Sequence, residues 1–330
     1  KKFVFLFFFF FIKQKKNFSI FLVMSIDEKN QNILKLHNDL IGKILSLISL
    51  NPRLVCQEFK KISNISNLSK NSFIFGSLSI FQFSLQNGYS FNKNTCKYAA
   101  VFGQLECLKL AHQNGCYWDK ETCEYAASEG NLECLKYAHQ NGCPWDDEIS
   151  YSAVYRDKIE CLQYIRNNGC NWDEDTCALA ASYGSLECLK WARQNGCPWD
   201  TKTCWLAAST GQLKCLQWAR DNNCAWDEQT CRAAAIGGHL ECLKWARSKD
   251  CDWNEDTCEA AAENGQLECL RWAHENGCPW YEETCEAAAG MGHLKCLKYA
   301  VENGCPWNKD KCKQLAKHTC IFSKRLFDTL

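Results

Sequence analysis

From about residue 95 onward the apolar positions return with helical spacing. In the segment Asp119 to Trp145, Cys123, Ala126 and Ala127 fall within one narrow arc at about 100° per residue. This predicts a first helix over 120–129, with Asp119 as N-cap and Gly130 as its stop. A second helix is predicted from near Asn131. Its apolar residues Leu132, Cys134, Leu135, Tyr137 and Ala138 cover more than half the circumference, leaving Glu133, Lys136 and Gln140 as the polar stripe. So wide an apolar face requires neighbours on both sides. The second helix stops at Asn141-Gly142, and Pro144 prevents its continuation.

The same pattern recurs every 27 residues. Cysteines in second-helix positions fall at 107, 134, 161, 188, 215, 242, 269 and 296. A loop series lies at 116, 143, 170, 197, 224, 251, 278 and 305. A first-helix series occupies 96, 123, 177, 204, 231, 258, 285 and 312, with Ser150 in its one missing slot. Loop tryptophans at 118, 145, 172, 199, 226, 253, 280 and 307 keep the same step. The stop residues Gly115, Gly142, Gly169, Gly196, Asn223, Asp250, Gly277 and Gly304 are all types that tolerate a left-handed backbone. A fixed period of this size marks a solenoid of helix–turn–helix–loop units.

The stretch TCEYAASEGNLECLKYAHQNGCPWDDE resembles the ankyrin repeat in its Thr, Ala-Ala, Gly, Leu-bearing second helix and closing Gly-small-apolar-Asp. The resemblance spans about residues 68–330 and implies an all-α, ankyrin-type helical repeat solenoid that binds protein. The unit is shorter than the usual 33 residues. The missing six correspond to the β-hairpin finger, and the Pro-Leu-His start of the first helix is replaced by Cys and two variable residues. Short Cys/Trp units of this kind resemble arrays encoded by giant viruses of amoebae and by some protists.

Of 26 cysteines, 24 belong to the three series, leaving Cys56 and Cys320. Their separations lack the close C-x₂₋₄-C pairs of structural zinc sites. No histidine is periodic, since His112, His139 and His274 alternate with Arg193, Arg220 and Arg247. Equivalent cysteines of successive layers should stand about 8–10 Å apart, too far for a disulfide ladder, although bridges within one unit are geometrically conceivable. The expected role is that of reduced, small hydrophobic residues packed between helices, with no metal or cofactor, in a reducing compartment such as the cytoplasm (the host cytoplasm for a viral protein). Each tryptophan is expected to fold back onto the next unit.

Charge narrows the partner class. The 38 Lys+Arg equal the 38 Asp+Glu, so no basic stripe points to nucleic acid. Phosphate-loop, Ser/His/Asp and HExxH patterns are missing from the sequence, and a non-enzymatic role is expected.

Counting back one period makes residues 68–94 a degenerate N-terminal capping repeat, with 95–308 the regular repeats and 309–330 a C-terminal cap. The unit around Ile149–Ile159 carries Ala153-Val154 and Asp157 in place of the Ala pair and Gly, and is expected to be the weakest joint. Residues 33–62 leave the period. There Leu36, Leu40, Ile44 and Leu45, followed by Leu54, Val55, Cys56 and Phe59, resemble an F-box. That resemblance implies docking to a Skp-type adaptor of a cullin ubiquitin ligase. A plain helical cap for the array is the alternative. Residues 1–23 are rich in Phe, Lys, Ile and Asn, precede Met24, and read as a non-native upstream extension or a disordered segment. Their run Phe3–Ile12 is too short to span a bilayer as a helix, and no membrane association is expected.

Positions that vary between units are free of packing duty. On the first helix they lie opposite the buried arc and carry Tyr98, Phe102, Tyr125, Tyr151, Tyr155, Tyr183 and Trp205 in the N-terminal half, against Arg232, Glu259, Glu263 and Glu286 later. A partner protein is expected on the aromatic half. The whole reads as a protein-binding scaffold, either a substrate receptor of a ubiquitin ligase or a plain binding or decoy protein.

Overall fold

The alternation of small-residue helices with wide-faced helices builds a regular stack. The computed structural model describes residues 8–14, 17–23, 78, 81–82 and 92–316, and the chain divides at Ser90 into two units. The expected F-box-like residues Leu36, Leu40, Ile44, Leu45, Leu54, Val55, Cys56 and Phe59, most of the capping repeat 68–94 and residues 317–330 of the C-terminal cap lie outside the described residues.

In the first unit, β1 (Phe8–Gln14) and β2 (Asn17–Val23) pair antiparallel, from Phe8 opposite Val23 to Gln14 opposite Asn17. The helical reading of the chain does not anticipate this hairpin. Aromatic and β-branched residues are concentrated in both segments, and such residues favour strands.

In the second unit the described residues form seventeen helices. First helices of the pairs are α1 (Lys93–Val101), α3 (Lys120–Glu129), α5 (Ile149–Val154), α7 (Glu174–Tyr183), α9 (Thr201–Ser209), α11 (Glu228–Gly237), α13 (Glu255–Glu263) and α15 (Glu282–Met291). Second helices are α2 (Leu105–Gln113), α4 (Leu132–Gln140), α6 (Ile159–Asn167), α8 (Leu186–Gln194), α10 (Leu213–Asp221), α12 (Leu240–Ser248), α14 (Leu267–Glu275) and α16 (Leu294–Glu302), and α17 (Lys309–Ala316) begins one pair more. Each first helix packs on its second helix and on the first helices before and after it. This is the stacked helix-pair architecture of an ankyrin-type solenoid.

Small residues allow that packing. Cys123, Ala126 and Ala127 are fully buried on α3, and Cys134, Leu135 and Ala138 are buried on α4. The equivalent leucines, Leu108 through Leu297, are sealed in every unit. The first helix turns over at a left-handed residue, Gly130 at φ 79° being typical. Every described second helix except α12, which is capped by Lys249, closes on an asparagine that bonds back to its own helix, as Asn141 Nδ2 donates to the Tyr137 carbonyl at 2.8 Å.

The 24 described cysteines are all buried and all free thiols. From Cys143 to Cys305 the loop thiol of each unit donates to a carbonyl at or near the start of its first helix, as Cys143 does to Asp119 at 3.2 Å and Cys224 to Asp200 at 3.2 Å. Sulfur here ties loop to helix as well as filling space.

Joints between units also carry polar clamps. Asn131, just before α4, reaches back over Gly103 and donates to the Ala100 and Val101 carbonyls at 2.7 and 2.9 Å. A Cβ on Gly103 would stand 2.6 Å from the Asn131 amide oxygen, so close approach and φ +64° both demand glycine there. Lys158, Gln212, His239, Gln266 and His293 lie over the turn glycines of their preceding units in the same way.

Candidate binding face

The loop tryptophans come first, because they fix which surfaces remain free. His112, His139 and His274 stack face-to-face on Trp118, Trp145 and Trp280 at 3.6–3.7 Å. In the intervening units Arg166, Arg193, Arg220 and Arg247 place guanidinium planes 4.3–4.6 Å from Trp172, Trp199, Trp226 and Trp253. The alternation of His and Arg therefore preserves one role, a flat group on the tryptophan face. Each tryptophan from Trp118 to Trp280 then meets the next unit edge-on, as Trp199 meets Trp218 at 5.8 Å. Such aromatic pairs contribute about 0.5–1.5 kcal/mol beyond burial. These rings are occupied with joining units.

The side of the first helices facing away from the buried arc is a different surface. Tyr125, Tyr155 and Tyr183 are 37%, 50% and 44% exposed, whereas Tyr98, Phe102, Tyr151 and Trp205 are half-buried. Tyr155 and Tyr183 come together as an edge-to-face pair at 5.0 Å, with the Arg156 guanidinium beside Tyr155. Lys97 lies over the Tyr125 ring at 4.5 Å and pairs with Glu121 at 2.7 Å. The Tyr151 hydroxyl donates to the Asp173 carboxylate at 2.9 Å, and burial together with that carboxylate pushes its pKa up. The predicted residues thus separate into three exposed rings, Tyr125 and the touching pair Tyr155 and Tyr183, and a set that is half-buried.

Hollows appear farther along, where the varying positions turn acidic. One of about 370 Å³ is lined by Arg232, Asp256, Glu259 and Glu263. A second, of about 290 Å³, is lined by Glu259, Glu263, Glu283 and Glu286, with Met291 and Leu315 as apolar neighbours. Burial raises the Glu259 pKa, and the carboxylates of Asp256, Glu263 and Glu283 raise it further against the opposing Arg232. Lys311 reaches Glu286 at 2.6 Å from the following unit. The aromatic cluster drew the sequence reading to the N-terminal half. The acidic half carried an equally legible signal in its run of glutamates at varying positions.

Among the described residues, no group of three or more His, Cys, Asp or Glu side chains gathers as a metal site. No described helix is long and apolar enough to cross a membrane.

No protein-family profile matches this chain, and no curated protein matches it. Solved structures that match include the human ASB11 ankyrin repeat domain, with a TM-score of 0.40 and 15% identity over 48% of this chain and 84% of that one.

Proposed function

We propose that the chain is a non-enzymatic protein-binding scaffold whose target lies along the outward side of the first helices. The carrying observation is the Tyr155–Tyr183 pair, two exposed rings from adjacent units at 5.0 Å, while the loop tryptophans are engaged between units. Rigid aromatic groups on a repetitive support give contact area with little ordering cost. Tyr98, Phe102, Tyr125, Tyr151 and Trp205 extend the same face.

In its finer form, the repeats hold a substrate while residues 33–62 dock a Skp-type adaptor of a cullin ubiquitin ligase, within a reducing cytoplasm. The second reading is a scaffold or decoy without ligase recruitment, in which residues 33–62 only cap the array. The F-box-like order of apolar residues supports the first.

Affinity capture with the full chain, compared with a Tyr155→Ala/Tyr183→Ala double variant, tests the face. Loss of captured partner with unchanged thermal unfolding supports it, and retention of every partner rejects it. Pull-down of a Skp-type adaptor with and without Leu40→Asp and Ile44→Asp tests recruitment. Equal recovery, or no recovery from either, removes the ligase reading and leaves the scaffold.

A further inference from the structure

Within a unit, the first-helix cysteine meets the loop cysteine twenty positions later. The Cys123 and Cys143 thiols are neighbours, and Cys143 together with burial pushes the Cys123 pKa up. The same neighbour effect raises Cys177 beside Cys197, Cys204 beside Cys224, Cys231 beside Cys251, Cys258 beside Cys278 and Cys285 beside Cys305, and the Cys231 thiol approaches the Cys251 carbonyl at 4.0 Å. In the first regular unit the Cys96 thiol approaches the Cys116 carbonyl at 3.9 Å. Where serine replaces cysteine, Ser150 Oγ stands 3.3 Å from Cys170 Sγ, which shows how closely the two slots face each other. The second-helix cysteines have a different neighbourhood: burial dominates at Cys107 and Cys134, with Cys107 a lesser influence on Cys134 across successive units.

We propose that the seven pairs 96–116, 123–143, 177–197, 204–224, 231–251, 258–278 and 285–305 are oxidation sites, each closing to a disulfide within its own unit on exposure to a hydroperoxide. One member of each pair rides on a helix and the other on the adjoining loop. The new bond therefore staples a loop to its helix without linking layers.

Accessibility picks the attacking thiol. The loop cysteines Cys116, Cys143, Cys278 and Cys305 are 7%, 3%, 3% and 3% exposed, whereas their helix partners Cys96, Cys123, Cys258 and Cys285 are fully buried. The neighbouring Cys285 and Cys204 thiols hold the Cys305 and Cys224 thiols below their ordinary pKa against the opposing effect of burial. Burial pushes Cys107 up to about 11 and Cys134 up to about 12, so second-helix thiols stay protonated and poorly nucleophilic.

The chemistry balances with hydrogen peroxide as oxidant. The Cys305 thiolate attacks one peroxide oxygen; an S–O bond forms, the O–O bond breaks, and the departing hydroxide takes up a proton as water. The Cys285 sulfur then displaces hydroxide from the sulfenic acid, forming S–S and breaking S–O, and its own thiol proton completes the second water. Two thiols lose two electrons and two protons, and one peroxide becomes two waters.

The test is disulfide mapping of the reduced full chain treated with hydrogen peroxide under native conditions, alkylated, digested and read by mass spectrometry over time. The expected result is peptides linked between the seven pairs, with Cys107 and its equivalents recovered alkylated. Ser150→Cys should add a 150–170 link, and Cys305→Ser should abolish 285–305 and return Cys285 as an alkylated thiol. Links between units, links involving second-helix cysteines at comparable rates, or oxidation to sulfinic acid without any bridge would overturn the proposal.

Discussion

The Asp157 carboxylate accepts the backbone N–H of Cys188 at 2.9 Å, across the joint between two repeat units. Asp157 stands at φ 57° where the other described units have glycine, and α5 is the shortest described helix of the second unit, six residues long. The same joint has a second clamp, the Ser185 hydroxyl donating to the Val154 carbonyl. The irregular unit therefore combines a short helix with two inter-unit bonds of its own.

Removing the Asp157 carboxylate exposes that balance. Asp157→Ala loses the acceptor and places a residue poorly suited to φ > 0, and should cost about 2–3 kcal/mol. Asp157→Asn keeps both properties and should cost under about 1 kcal/mol. Urea unfolding of the two variants checks the ranking, and equal midpoints would contradict it.

Turn glycines should divide into two classes. Gly103→Ala must displace Asn131 from the Ala100 and Val101 carbonyls, whereas a Cβ on Gly115 meets nothing within 4 Å. Both carry a left-handed penalty of about 1–2 kcal/mol. Gly103→Ala should cost about 1–2 kcal/mol more, because two hydrogen bonds are lost. Thermal unfolding of the paired variants measures the difference.

Serine should be better tolerated in the first-helix slot than in the second-helix slot. Ser150 already faces the Cys170 sulfur at 3.3 Å, so Cys177→Ser should find a partner in Cys197 and cost about 1 kcal/mol or less. Cys134→Ser buries a hydroxyl among apolar helix faces and should cost about 1–3 kcal/mol. Denaturant titration that reversed this order would show that sulfur packing, and not thiol pairing, governs the first-helix slot.

Acid should loosen the joints that use histidine. Burial lowers the His139 and His274 pKa values from the ordinary 6.5. The unfolded chain then binds more protons than the folded one, so stability is complete above about pH 6.5 and declines as pH falls through that value toward the folded pKa values. His139→Arg, which installs the group found opposite Trp199, should flatten the dependence between pH 7 and 5. Thermal melts across that window provide the check.

Much of the solenoid was legible because one packing solution is repeated. The expected span 120–129 is the observed α3, and Cys123, Ala126 and Ala127 are its buried arc. Partnerships between series were harder to read. Cys123 and Cys143 are twenty residues apart and touch only after the chain reverses twice, so periodicity reveals each series but not their meeting. In the sequence the His/Arg alternation speaks only against metal ligation, because its constant element, a flat shape opposite tryptophan, takes form only in the fold. On the varying face, the exposure of Tyr155 and sheltering of Tyr151 depend on cross-unit neighbours such as Asp173.

The clamp formed by Asn131 has a direction. Every such side chain belongs to the later unit and completes the turn of the earlier one, about 28 residues upstream. While the polypeptide emerges from a ribosome, its newest turn therefore remains unlatched until most of another repeat has been synthesised. Vectorial growth closes the stack one latch at a time, each new segment locking the turn made just before it.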